Sequence, residues 1–228
     1  MDRHLGADLE FAGDLGVRGA GDFPLILVFL DDDALFRNND ALAAIVAIFE
    51  ENPTAGLAAF KIYYQSTGEM QVNAFPHKRF SERRGWHHFD TYYFSGAAHA
   101  IRREVFDQVG YYPENFFYGM EEYDLSFRAL DRGYTIRYDD RVLVWHKESP
   151  TGRLTPRDKR KGMWLNKVKV AWKYLPLRYF VSVAVTWGLW YLVKSKGISE
   201  DFSGAGPRYS GSRGRRAGGL WERRPGLI

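Results

Sequence analysis

The side chains best equipped for chemistry fall in three places: Asp31-Asp32-Asp33, Glu121-Glu122 with Asp124, and His146. The aspartates follow Leu25-Ile26-Leu27-Val28-Phe29-Leu30, an unbroken apolar run that predicts a buried strand delivering carboxylates to the edge of a sheet. Side chains alternate along a strand, so Asp31 and Asp33 are expected to project together while Asp32 points away. Three adjacent carboxylates repel one another, and a divalent cation such as Mg²⁺ or Mn²⁺ would relieve that cost. A solvated strand end, or a cap for the following helix, accounts for the same residues without a metal.

Glu121-Glu122-Tyr123-Asp124 opens a predicted helix that runs to about Arg132 and is closed by Gly133. Acids in a first helical turn favour the helix dipole, a sufficient structural reason for Glu121 and Glu122. Asp124 lies four residues before Arg128, the spacing of an ion pair along a helix. His146 stands at the end of the predicted strand from Arg141 to Trp145. The small residues Ser95-Gly96-Ala97-Ala98 end a strand predicted from Thr91 to Ala97, and they let something approach the backbone closely. His87 and His88 are neighbours and do not share a helix face, so a helical metal site is not expected there.

The elements that must position these groups alternate between strand and helix. Ala41 to Glu50 reads as a helix, with Leu42, Ile45, Val46 and Phe49 on one face, ended by Asn52-Pro53. Residues 56–64 read as a strand, turning through Ser66-Thr67-Gly68-Glu69 into a hairpin at Met70-Gln71-Val72. Arg102 to Gln108 reads as a short helix stopped by Gly110, and Tyr134 to Tyr138 and Arg141 to Trp145 as two short strands. The chain of 228 residues is long enough for one sizeable core with appendages, and 45% hydrophobic residues mark it as globular. It has no cysteine, which excludes disulfides, thiolate nucleophiles and Cys-based zinc or iron–sulfur sites. The first residues, MDRHLGADLE, lack the apolar core of a signal peptide.

From Thr151 the character changes. Arg153, Arg157, Lys159, Arg160, Lys161, Lys167, Lys169 and Lys173 are interleaved with Met163, Trp164, Leu165, Val168, Val170 and Trp172. A basic, Trp-bearing helix of this kind suits the surface of an anionic membrane. The apolar run from Tyr179 to Val193 is shorter than the roughly 20 residues a spanning helix needs, so it is expected to lie at the interface, to re-enter, or to pack on the domain. No nucleic-acid-binding motif accompanies the charge. Residues 197–228, rich in Gly, Ser and Arg, are expected to be disordered.

Taken in order, these clusters resemble the inverting family-2 glycosyltransferases of the GT-A fold, over residues 14–147. The passage that carries the resemblance runs from Phe94-Ser95-Gly96-Ala97-Ala98 through Arg102-Arg103 to Gly110, then Phe116 to Leu125, Arg128, Gly133 and His146. The likeness is greatest to the bacterial rhamnosyltransferase-like branch that builds surface polysaccharides. It implies an α/β fold: a GT-A, Rossmann-like mixed sheet with flanking helices at residues 23–150. Basic and apolar helices at 151–196 and a tail at 197–228 would follow.

The resemblance also implies roles. Asp31-Asp32-Asp33 takes the place of the DxD motif. Asp33 and His146 would hold Mg²⁺ or Mn²⁺ against the diphosphate, while Asp31, Asp32, Gly96 and Ala97 would contact the nucleotide sugar. Glu122 inherits the general base, where the family usually has Asp. Glu121, Asp124 and Arg102 would contact the acceptor or support the site. The implied partners are a nucleotide-diphosphate sugar, a glycan or lipid-linked acceptor and a membrane surface, but no nucleic acid. The implied location is cytoplasmic, peripheral on the inner face of the cell membrane.

Residues 14–22 resemble what normally follows the family's first nucleotide-binding strands, so residues 1–22 are expected to be a remnant of the nucleotide-binding half. A non-catalytic remnant that binds a membrane or a partner is therefore the alternative function. A phosphohydrolase of the haloacid dehalogenase type would need a nucleophilic Asp, a general-acid Asp and then usually Thr or Val. Here Asp33 is followed by Ala34-Leu35.

Overall fold

The computed structural model describes residues 25–116, 118–148 and 155–195. The expected remnant at 1–22 and the tail at 197–228 lie outside the described residues.

The apolar run forms β1 (Ile26–Leu30), followed by a turn through the aspartates and the short β2 (Ala34–Phe36). Helix α1 (Ala41–Glu51) buries Ala41, Ile45, Ile48 and Phe49, while Leu42 and Val46 stay exposed. The apolar face is therefore rotated from the expected one toward Ile48. Strand β3 (Ala55–Tyr64) is buried along most of its length, and the small residues Ala55, Gly56, Ala58 and Ala59 let helices pack closely on both faces. The expected hairpin shrinks to a single bridge, Tyr63 to Met70, closed by Gly68 at φ +72°.

After a one-turn helix α2 (Phe80–Arg83) come β4 (His88–Thr91), β5 (Ala98–Arg102) and α3 (Arg103–Val109). The strand expected from Thr91 to Ala97 is not there; residues 92–97 connect β4 to β5 instead. The aromatic and small residues of that stretch serve a different purpose. Tyr93 stacks on Tyr123, and the Ala97 carbonyl accepts from the Asp31 amide at 3.0 Å.

Helix α4 (Glu121–Arg132) ends on Gly133 in the left-handed region, as expected. The two short strands predicted downstream are one strand, β6 (Thr135–His146). Its pairing with β3 jumps from Phe60–Asp139 to Lys61–Leu143, so a bulge interrupts it where the sequence pattern breaks. Helices α5 (Pro156–Tyr174) and α6 (Leu177–Ser195) pack against each other, and α5 packs on α4.

The sheet order is β1-β5-β3-β6-β2, with β4 also paired to β6. β5 runs antiparallel to β1 and β3, and β3 runs parallel to β6. The carboxyl ends of β1, β3 and β6 therefore share one edge of the sheet with the start of β5. The registers Leu30–Ala98, Tyr64–His146 and Ala34–His146 fix that edge. One sheet face packs Val28, Ala58, Phe60 and Val144 against α1, and the other packs Phe29, Leu57, Ile101 and Tyr138 against α3 and α4. The class is thus the expected mixed α/β sheet with flanking helices. Among the described residues, no helix is long and apolar enough to cross a membrane.

Candidate active site

The shared sheet edge opens into a cleft of about 1160 Å³. Strand geometry ends at Leu30, and the Ala34 amide donates back to the Asp31 carbonyl at 2.9 Å. This turn, rather than strand alternation, brings Asp31 and Asp33 to the same place. β6 delivers His146 beside them: its Nε2 lies 3.0 Å from Asp33 Oδ1 and 3.8 Å from Asp31 Oδ2. Each of the three offers a ligand atom within 4.8 Å of the others.

The tautomer of His146 follows from its other nitrogen. Nδ1 lies 3.0 Å from Gln71 Oε1, an acceptor, so Nδ1 carries a hydrogen. The amide orientation of Gln71 is set in turn by its Nε2, which donates to Glu148 Oε1 at 3.0 Å. Nε2 of His146 therefore faces two carboxylates with a lone pair, unless a proton or a metal ion stands between them. An oxygen that accepts from one ring nitrogen and so orients the other is the usual companion of a metal-binding histidine, and Gln71 Oε1 is such an acceptor here. The donor set of two carboxylates and an imidazole fits a divalent transition ion better than the all-oxygen sphere favoured by Mg²⁺.

Glu122 reaches the cleft from the first turn of α4. The approach to that turn is strained: Gly119 and Met120 both have positive φ, +76° and +75°. A left-handed methionine costs roughly 1–2 kcal/mol. The turn is held from outside by Asn166 of α5, whose Nδ2 donates to the Tyr118 and Gly119 carbonyls at 3.0 and 2.9 Å. Burial pushes the Glu122 carboxyl up to about 8, with the charges of Glu121 and Asp31 adding to the effect. Glu121 is raised as well, mainly by burial, and its buried Oε2 has no hydrogen-bond partner among the described residues.

Gly96 explains why Glu122 fits. A Cβ built on Gly96 would stand 2.5 Å from Glu122 Oε1. The small residue makes room for the acid. Below it, His99 is buried and stacked on Phe29, with Nδ1 donating to the Ser95 carbonyl and Nε2 accepting from the Tyr112 hydroxyl at 2.8 Å. Burial pushes His99 down to about 3, so this pillar under the 95–97 loop is neutral.

Residues 26–197 match the model of the family described as glycosyl transferase family group 2. The chain belongs to that family. Two curated relatives are O-antigen chain rhamnosyltransferases of Salmonella. WbaN of Salmonella anatum is 26% identical over 137 residues, covering 56% of this chain and 42% of the relative. RfbN of Salmonella typhimurium is 22% identical over 138 residues, covering 56% and 43%. The chain thus spans less than half the length of these relatives.

Among solved structures, GalNAc-T7 with UDP, GalNAc and Mn²⁺ aligns at TM-score 0.47 and 16% identity, over 65% of this chain and 31% of that one. The mannosyltransferase PcManGT of Pyrobaculum calidifontis, in complex with GDP-Man and Mn²⁺, aligns at TM-score 0.45 and 19% identity, over 75% and 50%.

Of the residues singled out in the sequence, Asp31, Asp32, Asp33, Gly96, Ala97, Glu121, Glu122 and His146 all line the cleft. Asp124 and Arg102 do not. Asp124 is fully buried and binds Arg128 Nε at 2.8 Å, Lys173 Nζ at 2.7 Å and the Tyr174 hydroxyl at 2.7 Å. Arg102 sits at the opposite end of β5, donating to the Phe49 and Ala55 carbonyls at 2.7 and 2.8 Å, where it ties α1 to the sheet. Both are supporting residues. Sequence reasoning missed Gln71, His99 and Asn166: Gln71 and Asn166 are lone polar residues in stretches with no motif, and His99 acts by burial under the 95–97 loop, which spacing does not record.

Proposed function

We propose that the cleft transfers a glycosyl group from a nucleotide-diphosphate sugar to a hydroxyl of a glycan or lipid-linked acceptor. The observation that carries this reading is the convergence of Asp31, Asp33 and His146 with Glu122 in one cleft of a family-2 chain. Asp31, Asp33 and His146 would hold Mn²⁺ or Mg²⁺, which supplies charge neutralisation for the leaving diphosphate. Asp32 and the 96–97 backbone flank the donor. Glu122 takes the proton of the acceptor hydroxyl as its oxygen bonds to the anomeric carbon and the bond to the diphosphate breaks. Glu121, with its spare buried oxygen, is placed to accept from a substrate hydroxyl. The rhamnosyltransferase relatives support an acceptor on the route to a surface polysaccharide.

The test is release of nucleoside diphosphate from a panel of nucleotide sugars in the presence of Mn²⁺ or Mg²⁺. Asp33→Ala and Glu122→Gln are each expected to cut turnover by about 100-fold or more. Unchanged turnover in either variant rejects the site. Failure of the folded wild type to bind any nucleoside diphosphate with metal, read by thermal shift, would favour the non-catalytic alternative.

A membrane-surface role is supported by α6, not by the basic charge of α5. Leu177, Val181, Val185, Leu189 and Val193 repeat every four residues and are 50–74% exposed, with Arg178 and Lys194 at the two ends of the strip. Such a strip suits shallow insertion into an anionic interface. The basic side chains of α5 are largely turned inward: Lys173 binds Asp124, and Lys169 donates to the Asn115 carbonyl at 2.8 Å.

A further inference from the structure

Most charged groups that line the cleft are carboxylates. Among the described residues, the lysines and arginines on its wall are Lys159 and Lys167 alone, and both come from α5. With Met163 between them they recur every four residues, so the three share one helix face over about 12 Å. That face abuts the approach to the general base. The Met163 side chain lies against Gly119, 2.9 Å from where a Cβ would stand, and Asn166 binds the carbonyls of Tyr118 and Gly119.

Neither lysine forms an ion pair with a carboxylate among the described residues, although Lys61 and Lys173 do. Each ammonium rests on a ring instead: Lys159 lies 5.5 Å from the centre of Tyr118, and Lys167 lies 4.0 Å from that of Trp187. Lys167 is half-buried, and the charge acting on it is another cation, Lys78; burial and this repulsion both lower its pKa. A desolvated cation beside a like charge is costly unless an anion arrives. The cleft volume, about 1160 Å³, exceeds the roughly 300–1,000 Å³ typical of a pocket for one small ligand. It can seat two substrates, one toward the aspartates and one toward α5.

We propose that the Lys159–Met163–Lys167 face of α5 is an anion subsite, and that the acceptor it receives carries a phosphate or diphosphate ester. The assignment rests on the glycosyl-transfer reading of the same cleft. The metal cluster neutralises the donor's diphosphate on one side. The lysines neutralise the acceptor's phosphate on the other, and Met163 between them provides an apolar contact. Glu122, next to this wall, then meets a hydroxyl of the sugar that the phosphate anchors.

The test begins without metal. In EDTA, inorganic pyrophosphate titrated calorimetrically into the full chain is expected to bind. Lys159→Gln/Lys167→Gln should weaken binding at least tenfold, and Lys159→Gln alone by less, with circular dichroism unchanged. Asp33→Asn should leave this binding in place while abolishing the metal-dependent binding of nucleoside diphosphate. Farnesyl diphosphate tighter than pyrophosphate would identify a lipid-linked ester, and equal affinities an ester on a soluble glycan. Absence of metal-free binding, or binding indifferent to both lysine variants, overturns the proposal. So does loss of nucleoside diphosphate affinity in the double variant together with displacement of pyrophosphate by that nucleotide, since the lysines would then serve the donor. Failure of the glycosyl-transfer reading looks different: pyrophosphate binds as expected, but no nucleotide sugar turns over.

Discussion

Glu122 occupies a place that is unfavourable for a charged carboxylate, which suits the proposed role of taking a proton. Burial and the neighbouring acids hold it at about 8, so at neutral pH without metal it is largely protonated. A base works only when ionised, so turnover should rise with pH through a single ionisation. Cation binding at Asp31 cancels one of the charges that raise Glu122, so the kcat/KM profile with Mn²⁺ should show an apparent pKa below 8. A profile flat from pH 5 to 9 would exclude Glu122 as the base. Gly96 offers a sharper probe. In Gly96→Ala the new methyl group must displace the Glu122 carboxylate, so kcat should fall by about tenfold or more. The melting temperature should change little, and steady-state kinetics with a thermal melt reads both.

At the scale of elements, helix α4, which carries Glu122, is clamped from two sides. Arg128 donates to the Gly110 and Tyr111 carbonyls at 2.9 and 2.7 Å, and also to the Val109 carbonyl, which ties α4 to the loop after α3. Asp124 binds Arg128 on its own helix and Lys173 and Tyr174 on α5. Burial alone would raise Asp124, but the hydrogen bonds from Lys173 and Tyr174 and the Arg128 charge outweigh it and leave its pKa lowered. Its stabilisation is therefore present above the ordinary carboxylate range and lost as pH falls through the lowered value. Asp124→Asn leaves Arg128 and Lys173 without their counter-charge and should cost about 3–5 kcal/mol at pH 7. The wild-type advantage should shrink below about pH 4, where the carboxylate is protonated in the unfolded chain. Urea melts at the two pH values measure this; an equal difference at both would disprove the linkage.

For the whole molecule, the position of α6 decides how the cleft meets its surroundings. α6 packs on α5, and α5 forms a wall of the cleft, so the exposed apolar strip of α6 and the site are joined through one helix. Val181→Asp/Val185→Asp should reduce sedimentation with vesicles containing about 30% anionic phospholipid by fivefold or more, while turnover of a soluble acceptor is retained. Equal sedimentation of the variant would remove the membrane-surface role and leave the catalytic proposal untouched.

Much of this fold is readable along the chain because local physics fixes it. The apolar run of β1 can only be buried, Gly133 can take the left-handed conformation that closes α4, and the acidic start of α4 agrees with its dipole. The order of the acidic strand end, the small-residue loop, Glu121-Glu122 and His146 was enough to name the family. Tertiary structure decided which of these groups meet. Asp33 and His146 are far apart in sequence, and the antiparallel pairing of β2 with β6, with Ala34 opposite His146, brings them within 3.0 Å. Asp124 and Glu122 read alike as acids of one helical turn, yet their helix turns one into a lattice of cations and the other into the cleft. The same holds for the lysines of α5, which look like a membrane-binding run until packing turns Lys173 to Asp124, Lys169 to the Asn115 carbonyl, and Lys159 and Lys167 to the cleft. Burial and charge neighbours are properties of contacts between distant segments, and no local spacing records them.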